Sequence, residues 1–445
     1  MNHVQEGDVV GIYFNPDNGS FSKAIKSQIY IDKTGLLNEL NKVIGTENNC
    51  IAVSHARRFG KSQAAGMIDA YYSRGSDSKE MFSKFVIAKS ENFEEHLNQY
   101  NVIHLDISSV ADFHKDDLVE TIIKDLCDEF KDEYRGLDDS KDIQKILMEI
   151  YKISGIQFVI LIDEWDCVIR NHSDRPDLVH KYLQFMHALF KSEESKRFLA
   201  LGYITGILPI KKIRDESALN NFREFTMLKS RPITQYYGFT EEEVKHLCEK
   251  YDMDFESTKA WYNGYLIDGM HMYNPNSVVQ AMTFHDFDSY WKNSSSFEVI
   301  NTFITMNYDG LKEDILAMLS GDMILVNTET FSNDLSEVSS KDEALTALIH
   351  LGYLAYDYDE GCAYLPNYEV AKGFADMVFI PRANAGNRPA MIIELKYDQT
   401  ADTAIEQIKE RRYFGSLSGY SHQILCVGIN YDKETKKHTC VIESM

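Results

Sequence analysis

The stretch "GIQFVILIDEWD" carries five consecutive apolar residues, Phe158 to Ile162, that run straight into Asp163 and Glu164. Strand side chains alternate between faces, so a strand apolar at every position is buried on both. "NNCIAVSHA", with its apolar core at Cys50 to Val53, "QYNVIHLDIS" and "RFLALGYITGI" read the same way. Between them lie segments of helical spacing: "KSQAAGMIDAYYS", "DDLVETIIKDLCDEFKDEYR" and "DLVHKYLQFMHALFKS". Buried strands alternating with helices predict an α/β domain built on a parallel sheet with helices on both faces.

The turn after the first strand, "SHARRFGKSQAAG", ends in Gly60-Lys61-Ser62 between a strand and a helix. That is the context a phosphate-binding loop requires: backbone N–H groups at the helix N-terminus face the phosphates, Lys61 reaches the β- and γ-phosphates, and Ser62 offers its hydroxyl to Mg²⁺. His55 stands where the loop's first glycine belongs, while Gly60 keeps the closest backbone approach. About one hundred residues on, Asp163 and Glu164 form a Walker B pattern. There Asp163 would hold Mg²⁺ through water and Glu164 would polarise the attacking water. Thr205, at the end of "LALGYITG", is placed to touch the γ-phosphate or that water, though a threonine at a strand end also has a purely structural reading. Arg57 and Arg58 flank the loop, either as surface charge or as contacts to phosphate or a neighbouring subunit.

From about Tyr236 the texture changes. Thr240 followed by Glu243 in "GFTEEEVKHLCEKYDM" is a capping box that opens a helix. "KDEALTALIHLGYLAYDYDEGCAYLPNYEV" reads as a helix and a hairpin, the outline of a winged helix. The final stretch reads strand, strand, helix, strand, strand. Within it Asp376 lies on one strand, and Glu394 and Lys396, two apart on the next, share a face. Two carboxylates and a lysine at one point suit Mg²⁺-assisted phosphodiester cleavage, although E-x-K is common and a cross-strand salt bridge would leave the same trace.

Net charge bears on partners. The chain of 445 residues carries −23, but residues 372–443 hold ten Lys/Arg against nine Asp/Glu, leaving about −24 for the rest. Nonspecific adhesion to nucleic acid over the whole surface is disfavoured, while a local basic groove in the tail, with Lys409, Arg411, Arg412, Lys433, Lys436 and Lys437 as its candidate lining, is not. Seven cysteines without a C-x-x-C pair read as reduced thiols. No apolar run approaches the roughly 18 residues of a membrane span, and "MNHVQEGDVV" lacks a signal-peptide shape, so a cytoplasmic location is expected.

"YIDKTGLLNEL", "ARRFGKS", "LIDEWD", "YITGI", "LNNFREF", "YYGFTEEEV", "WYNGY" and "MYNPNSVV" occur in an order that resembles the AAA-ATPase-like family of bacterial proteins with a C-terminal PD-(D/E)XK nuclease domain. In that family the arginine pair of ARRFGKS is the normal loop. The resemblance implies ATP and Mg²⁺ as cofactors, a role for Asp32 and Lys33 near the nucleotide, and Gln407 and Tyr413 as accessory residues of the nuclease. It divides the chain into a P-loop domain at 1–235, a helical lid with a winged-helix-like module at 236–370, and a nuclease-like domain at 371–445. Nucleic acid, DNA before RNA, is the implied partner, with homo-oligomerisation possible and no membrane. In the family a long helical segment precedes the "GFAD" strand; here Val370 is followed almost at once by that strand. An abbreviated nuclease core with intact ATP binding and weak or absent cleavage is therefore expected, the rival being a signalling or scaffold ATPase whose last domain only binds.

Overall fold

A computed structural model describes residues 11–111, 117–210, 219–290, 303, 306, 308–319, 321–331, 335, 338–370, 377–379, 390–397, 399–410, 424–433 and 435–444. Five strands form the first sheet: β1 (Cys50–Ser54), β2 (Asn101–Asp106), β3 (Phe158–Asp163), β4 (Leu199–Gly206) and β5 (Arg223–Thr226). Their order is β2-β3-β4-β1-β5 and every pairing is parallel. The expected two-faced burial is realised residue by residue. Cys50, Ala52, Phe158, Ile160 and Ile162 pack into one core, and Ile51, Val53, Val159 and Leu161 into the opposite one.

Helices cover both faces. α1 (Lys61–Tyr72) lies against the second core, while α2 (Leu118–Glu133), α3 (Ile143–Ser154) and α4 (Pro176–Phe190) bury Leu126, Ile146 and Met186 in the first. Each such Leu or Ile contributes roughly 1.5–3 kcal/mol relative to exposure. β5 was not foreseen. It is short, and only Phe225 of its four residues is fully buried, so its sequence lacks the signature of the central strands.

Beyond the sheet, β6 (Phe239–Thr240), β7 (Tyr265–Ile267) and β8 (Met270–Tyr273) pair antiparallel. The capping box at Thr240 and Glu243 is present and opens α5 (Glu241–Tyr251). α6 (Phe255–Tyr262) and α7 (Pro275–Phe284) complete a helical lid around Val244, Leu247, Tyr262 and Val278. The expected helix and hairpin follow as α8 (Lys341–Leu351), β10 (Ala355–Asp357) and β11 (Cys362–Tyr364), with β9 (Ile324–Leu325) as a third strand.

This module docks tightly on the lid. Gly264 of "WYNGY" has φ +116, and an added Cβ there would lie 1.8 Å from the Pro366 carbonyl oxygen. Asn367 Nδ2 donates to Asn263 O at 2.7 Å, and Tyr364 Oη to Gly264 O at 2.8 Å. The contact demands a glycine.

The last sheet is β12 (Met377–Phe379), β13 (Ala390–Tyr397), β14 (Ile424–Asp432) and β15 (Lys437–Ser444), with α9 (Ala401–Glu410) crossing between the parallel pair β13 and β14. The strand, strand, helix, strand, strand reading is thus the order among the described residues. Gly428 admits α9 to close range, since a Cβ there would stand 2.3 Å from Ala401 O. Among the described residues no helix is long and apolar enough to cross a membrane.

Candidate nucleotide site

β1 ends at Ser54 and α1 begins at Lys61, so six residues form the loop between them. Gly60 caps α1 with φ +88, and an added Cβ there would meet nothing within 4 Å, leaving the space above the helix N-terminus open to a ligand. Arg58 supplies the loop's other left-handed residue, with φ +67. His55 is outside that region of backbone space, which is why its position does not require the glycine that such loops commonly carry.

His55 instead turns inward. It is fully buried, its Nε2 sits 2.6 Å from Ser230 Oγ, and burial holds its pKa down at about 3. Ala56 and Phe59 also pack inward, into a core shared with Leu345 and Leu348 of α8. The underside of the loop is therefore an interface with the C-terminal module, while its upper side faces a cavity of about 970 Å³.

Arg57, Arg58, Gly60, Lys61, Ser62, Asp163, Glu164 and Arg170 all line that cavity. Lys61 is buried, and its Nζ donates to the loop carbonyls of His55 at 2.8 Å and Ala56 at 3.0 Å. Burial lowers its pKa, opposed by the nearby carboxylates of Glu164, Asp163 and Asp166. An ammonium hydrogen-bonded to two carbonyls on the wall of an open cavity can turn to a stronger anionic acceptor. Ser62 is exposed on the first turn. Arg58 Nη1 donates to Tyr290 O at 2.7 Å.

β4 lies between β1 and β3, which sets Thr205 beside Asp163. The Thr205 hydroxyl donates to the Asp163 carboxylate, and Asp163 Oδ1 also accepts from the Glu164 backbone at 3.0 Å. Thr205 is fully buried and orients the acid rather than opening onto the cavity. Gly206 follows because Trp165 fills the adjoining space; a Cβ there would come within 2.6 Å of its Nε1.

Glu164 has φ +54, and its side chain meets Arg170 at 2.9 Å. Burial raises its pKa, with Lys61 and Arg170 pulling the other way. Arg170 also pairs with Asp166 at 2.8 Å. Neither Asp166 nor Arg170 was singled out from sequence; their i, i+4 spacing in "DEWDCVIRN" was the available signal. Asp106 and Ser108, at the end of β2, line the same cavity and were missed as well. Lys33 does reach the cavity wall, its Nζ 2.7 Å from both Glu243 oxygens and from Gln235 O, so it ties the N-terminal segment to the lid. Asp32 accepts from the Thr34 and Val86 backbones, a bracing role.

The second candidate site is described only in part. β12 starts at Met377, which pairs with Ile393, the residue before Glu394. Glu394 and Lys396 share β13, and their backbones pair with Gly428 and Asn430. Gln407 lies on α9. Asp376, Tyr413, Arg411 and Arg412, and the side chains of Glu394 and Gln407, lie outside the described residues. Lys409 pairs with Glu443 at 2.5 Å.

Comparison with known proteins finds a family match at each end of the chain. Residues 19–214 match a family described as predicted AAA-ATPase, and residues 341–440 match the PD-(D/E)XK nuclease superfamily. The second match opens with α8, so the helix-and-hairpin module falls inside it. An "Uncharacterized protein in vnfD 5'region" of Azotobacter chroococcum mcd 1 is 25% identical over 150 residues, 33% of this chain and 29% of that protein. The matched stretch thus spans less than a third of that relative's length. The ORC2 protein of Aeropyrum pernix, solved in ADPNP–ADP complexes, aligns with TM-score 0.34 and 12% identity over 80% of this chain and 94% of its own, a slight likeness.

Proposed function

We propose that the chain binds and hydrolyses ATP, and that its nucleotide state governs the C-terminal nuclease-like domain, which acts on nucleic acid. The observation that carries the first part is the convergence of Gly60, Lys61, Ser62, Asp163 and Glu164 on one open cavity. Lys61 would leave the carbonyls of His55 and Ala56 for the phosphates. Glu164 would polarise the attacking water, and Thr205 would keep Asp163 oriented. Ser62 and Asp163 are the residues fitted to hold Mg²⁺, which when bound supplies neutralisation of phosphate charge.

Support for coupling is the shared packing of Ala56 and Phe59 with Leu345 and Leu348. A loop that moves with nucleotide would pull on the cluster to which α8 also belongs. For the last domain, Asp376, Glu394 and Lys396 are the proposed cleavage residues, with Asp376 and Glu394 as metal ligands and Gln407 and Tyr413 in support. Only six residues separate Val370 from β12, which favours weak cleavage or binding alone over vigorous cleavage.

The test for ATP is a binding and turnover comparison. Lys61→Ala should weaken ATP binding sharply, because a buried charge-assisted contact is lost, whereas Glu164→Gln should bind normally and turn over slowly. Equal affinity in wild type and Lys61→Ala would reject the site. For the nuclease, DNA and RNA are incubated with Mg²⁺ or Mn²⁺, with and without ATP. Cleavage lost in Glu394→Ala would establish catalysis, and binding without cleavage would establish the scaffold reading.

A further inference from the structure

We propose that Arg170 is a positioning residue for ATP hydrolysis: it fastens Glu164 to the buried Asp166 and so aims the water-polarising carboxylate at the phosphate end of the cavity. The proposal rests on the ATPase reading above and adds to it a residue with no role in phosphate or metal binding.

Arg170 stands one turn after Asp166 on the short helix Cys167–Asn171. Its Nε meets Asp166 Oδ2 at 2.8 Å and its Nη2 meets Glu164 Oε2 at 2.9 Å, so one rigid guanidinium spans both carboxylates. Asp166 is a fixed anchor. Its Oδ2 also accepts the backbone N–H groups of Ile207 at 3.2 Å and Leu208 at 2.9 Å, where the chain leaves β4. The three side chains grade from buried to open: Asp166 is 1% exposed, Arg170 8% and Glu164 25%.

That gradient separates positioning from bare stabilisation. Asp166 alone would neutralise a buried arginine, yet the guanidinium extends past it to a carboxylate on the cavity wall. Glu164 needs such a hold. Its backbone takes a left-handed conformation that non-glycine residues seldom adopt, and a free glutamate at the edge of a cavity would sample several rotamers. The contact engages Oε2, leaving Oε1 to address the water.

The experiment is a double-mutant cycle on the full chain, with turnover measured under saturating ATP and affinity measured with a non-hydrolysable ATP analogue. Arg170→Gln should lower kcat by about ten-fold or more, part of the 10²–10⁴-fold that a general base supplies, with Kd within about three-fold of wild type. In the Glu164→Gln background the same change should alter kcat by less than about two-fold, because Arg170 acts only through Glu164. Arg170→Lys keeps the cation and the Asp166 contact but cannot span both acids. It should lose several-fold in kcat with the same non-additivity, and it carries the test if Arg170→Gln does not fold. Additive losses, or a fall in affinity at unchanged kcat, would overturn the proposal while leaving the ATPase reading intact. Tight ATP binding without wild-type turnover would overturn both.

Discussion

Acidification from pH 7.5 to 5.5 should destabilise the chain by an amount traceable to two histidines. His55 and His350 are 0% and 3% exposed, and the Nδ1 atom of each has no hydrogen-bond partner among the described residues. Burial, then the charges of Lys61 and His350, hold His55 at about 3, and burial holds His350 at about 4. An unfolded histidine protonates near pH 6.5, so between pH 6.5 and 4 the unfolded chain binds two protons that the folded chain refuses. The depressed values therefore contribute stability above pH 6.5, and that stability is lost as pH falls. At pH 5.5 the solution stands about one unit below the unfolded value of each histidine, which costs about 1.4 kcal/mol apiece, or about 3 kcal/mol together. Exposed carboxylates add a background common to all variants. Urea unfolding of wild type and His350→Leu at both pH values isolates the effect: on acidification the variant should lose about 1.4 kcal/mol less stability than wild type. An identical pH-dependent loss in the two proteins would show that His350 is not held neutral in the fold, and the reasoning would fail.

Gly264→Ala should destabilise by roughly 2–4 kcal/mol, since φ +116 and the Pro366 carbonyl both exclude a methyl group; thermal melts and limited proteolysis between lid and module would register it. Thr205→Val removes the donor to buried Asp163 and should cost roughly 1–3 kcal/mol in urea unfolding, with turnover reduced more than ATP affinity. Neutralising Lys433, Lys436 and Lys437 together should flatten the salt dependence of nucleic-acid binding by two to three units of slope, at roughly 0.9 per phosphate contact; an unchanged slope would mark them as a solvated face.

Much of the ATPase fold was legible because its strands are buried on both faces. Phe158 to Ile162, apolar at every position and ending in acids, read as a central strand, whereas the helix Ile143–Ser154, with Ile143, Ile146, Leu147 and Ile150 on one face, was not singled out. β5 was not, because an edge strand with one buried residue carries no period. Lys61, Asp163 and Glu164 were singled out through spacing and context, and all three line one cavity. What they touch was not: Thr205 against Asp163 is a contact between strands 42 residues apart, and the retreat of Lys61 onto loop carbonyls depends on backbone geometry. The docking of Tyr364 on Gly264 spans 100 residues and has no local signature. Arg170 had one, but an i, i+4 pair with an acid is also the commonest way to decorate a helix.

The two-sided loop has a consequence for how such a chain can change over generations. Phe59 and Leu348 belong to one packed cluster although 289 residues separate them, so a change of volume at either has to be taken up within that cluster. A recombination event that carried the N-terminal portion to a foreign C-terminal partner would lay bare the apolar underside of the loop between β1 and α1. Lineages of this architecture should therefore inherit both ends together.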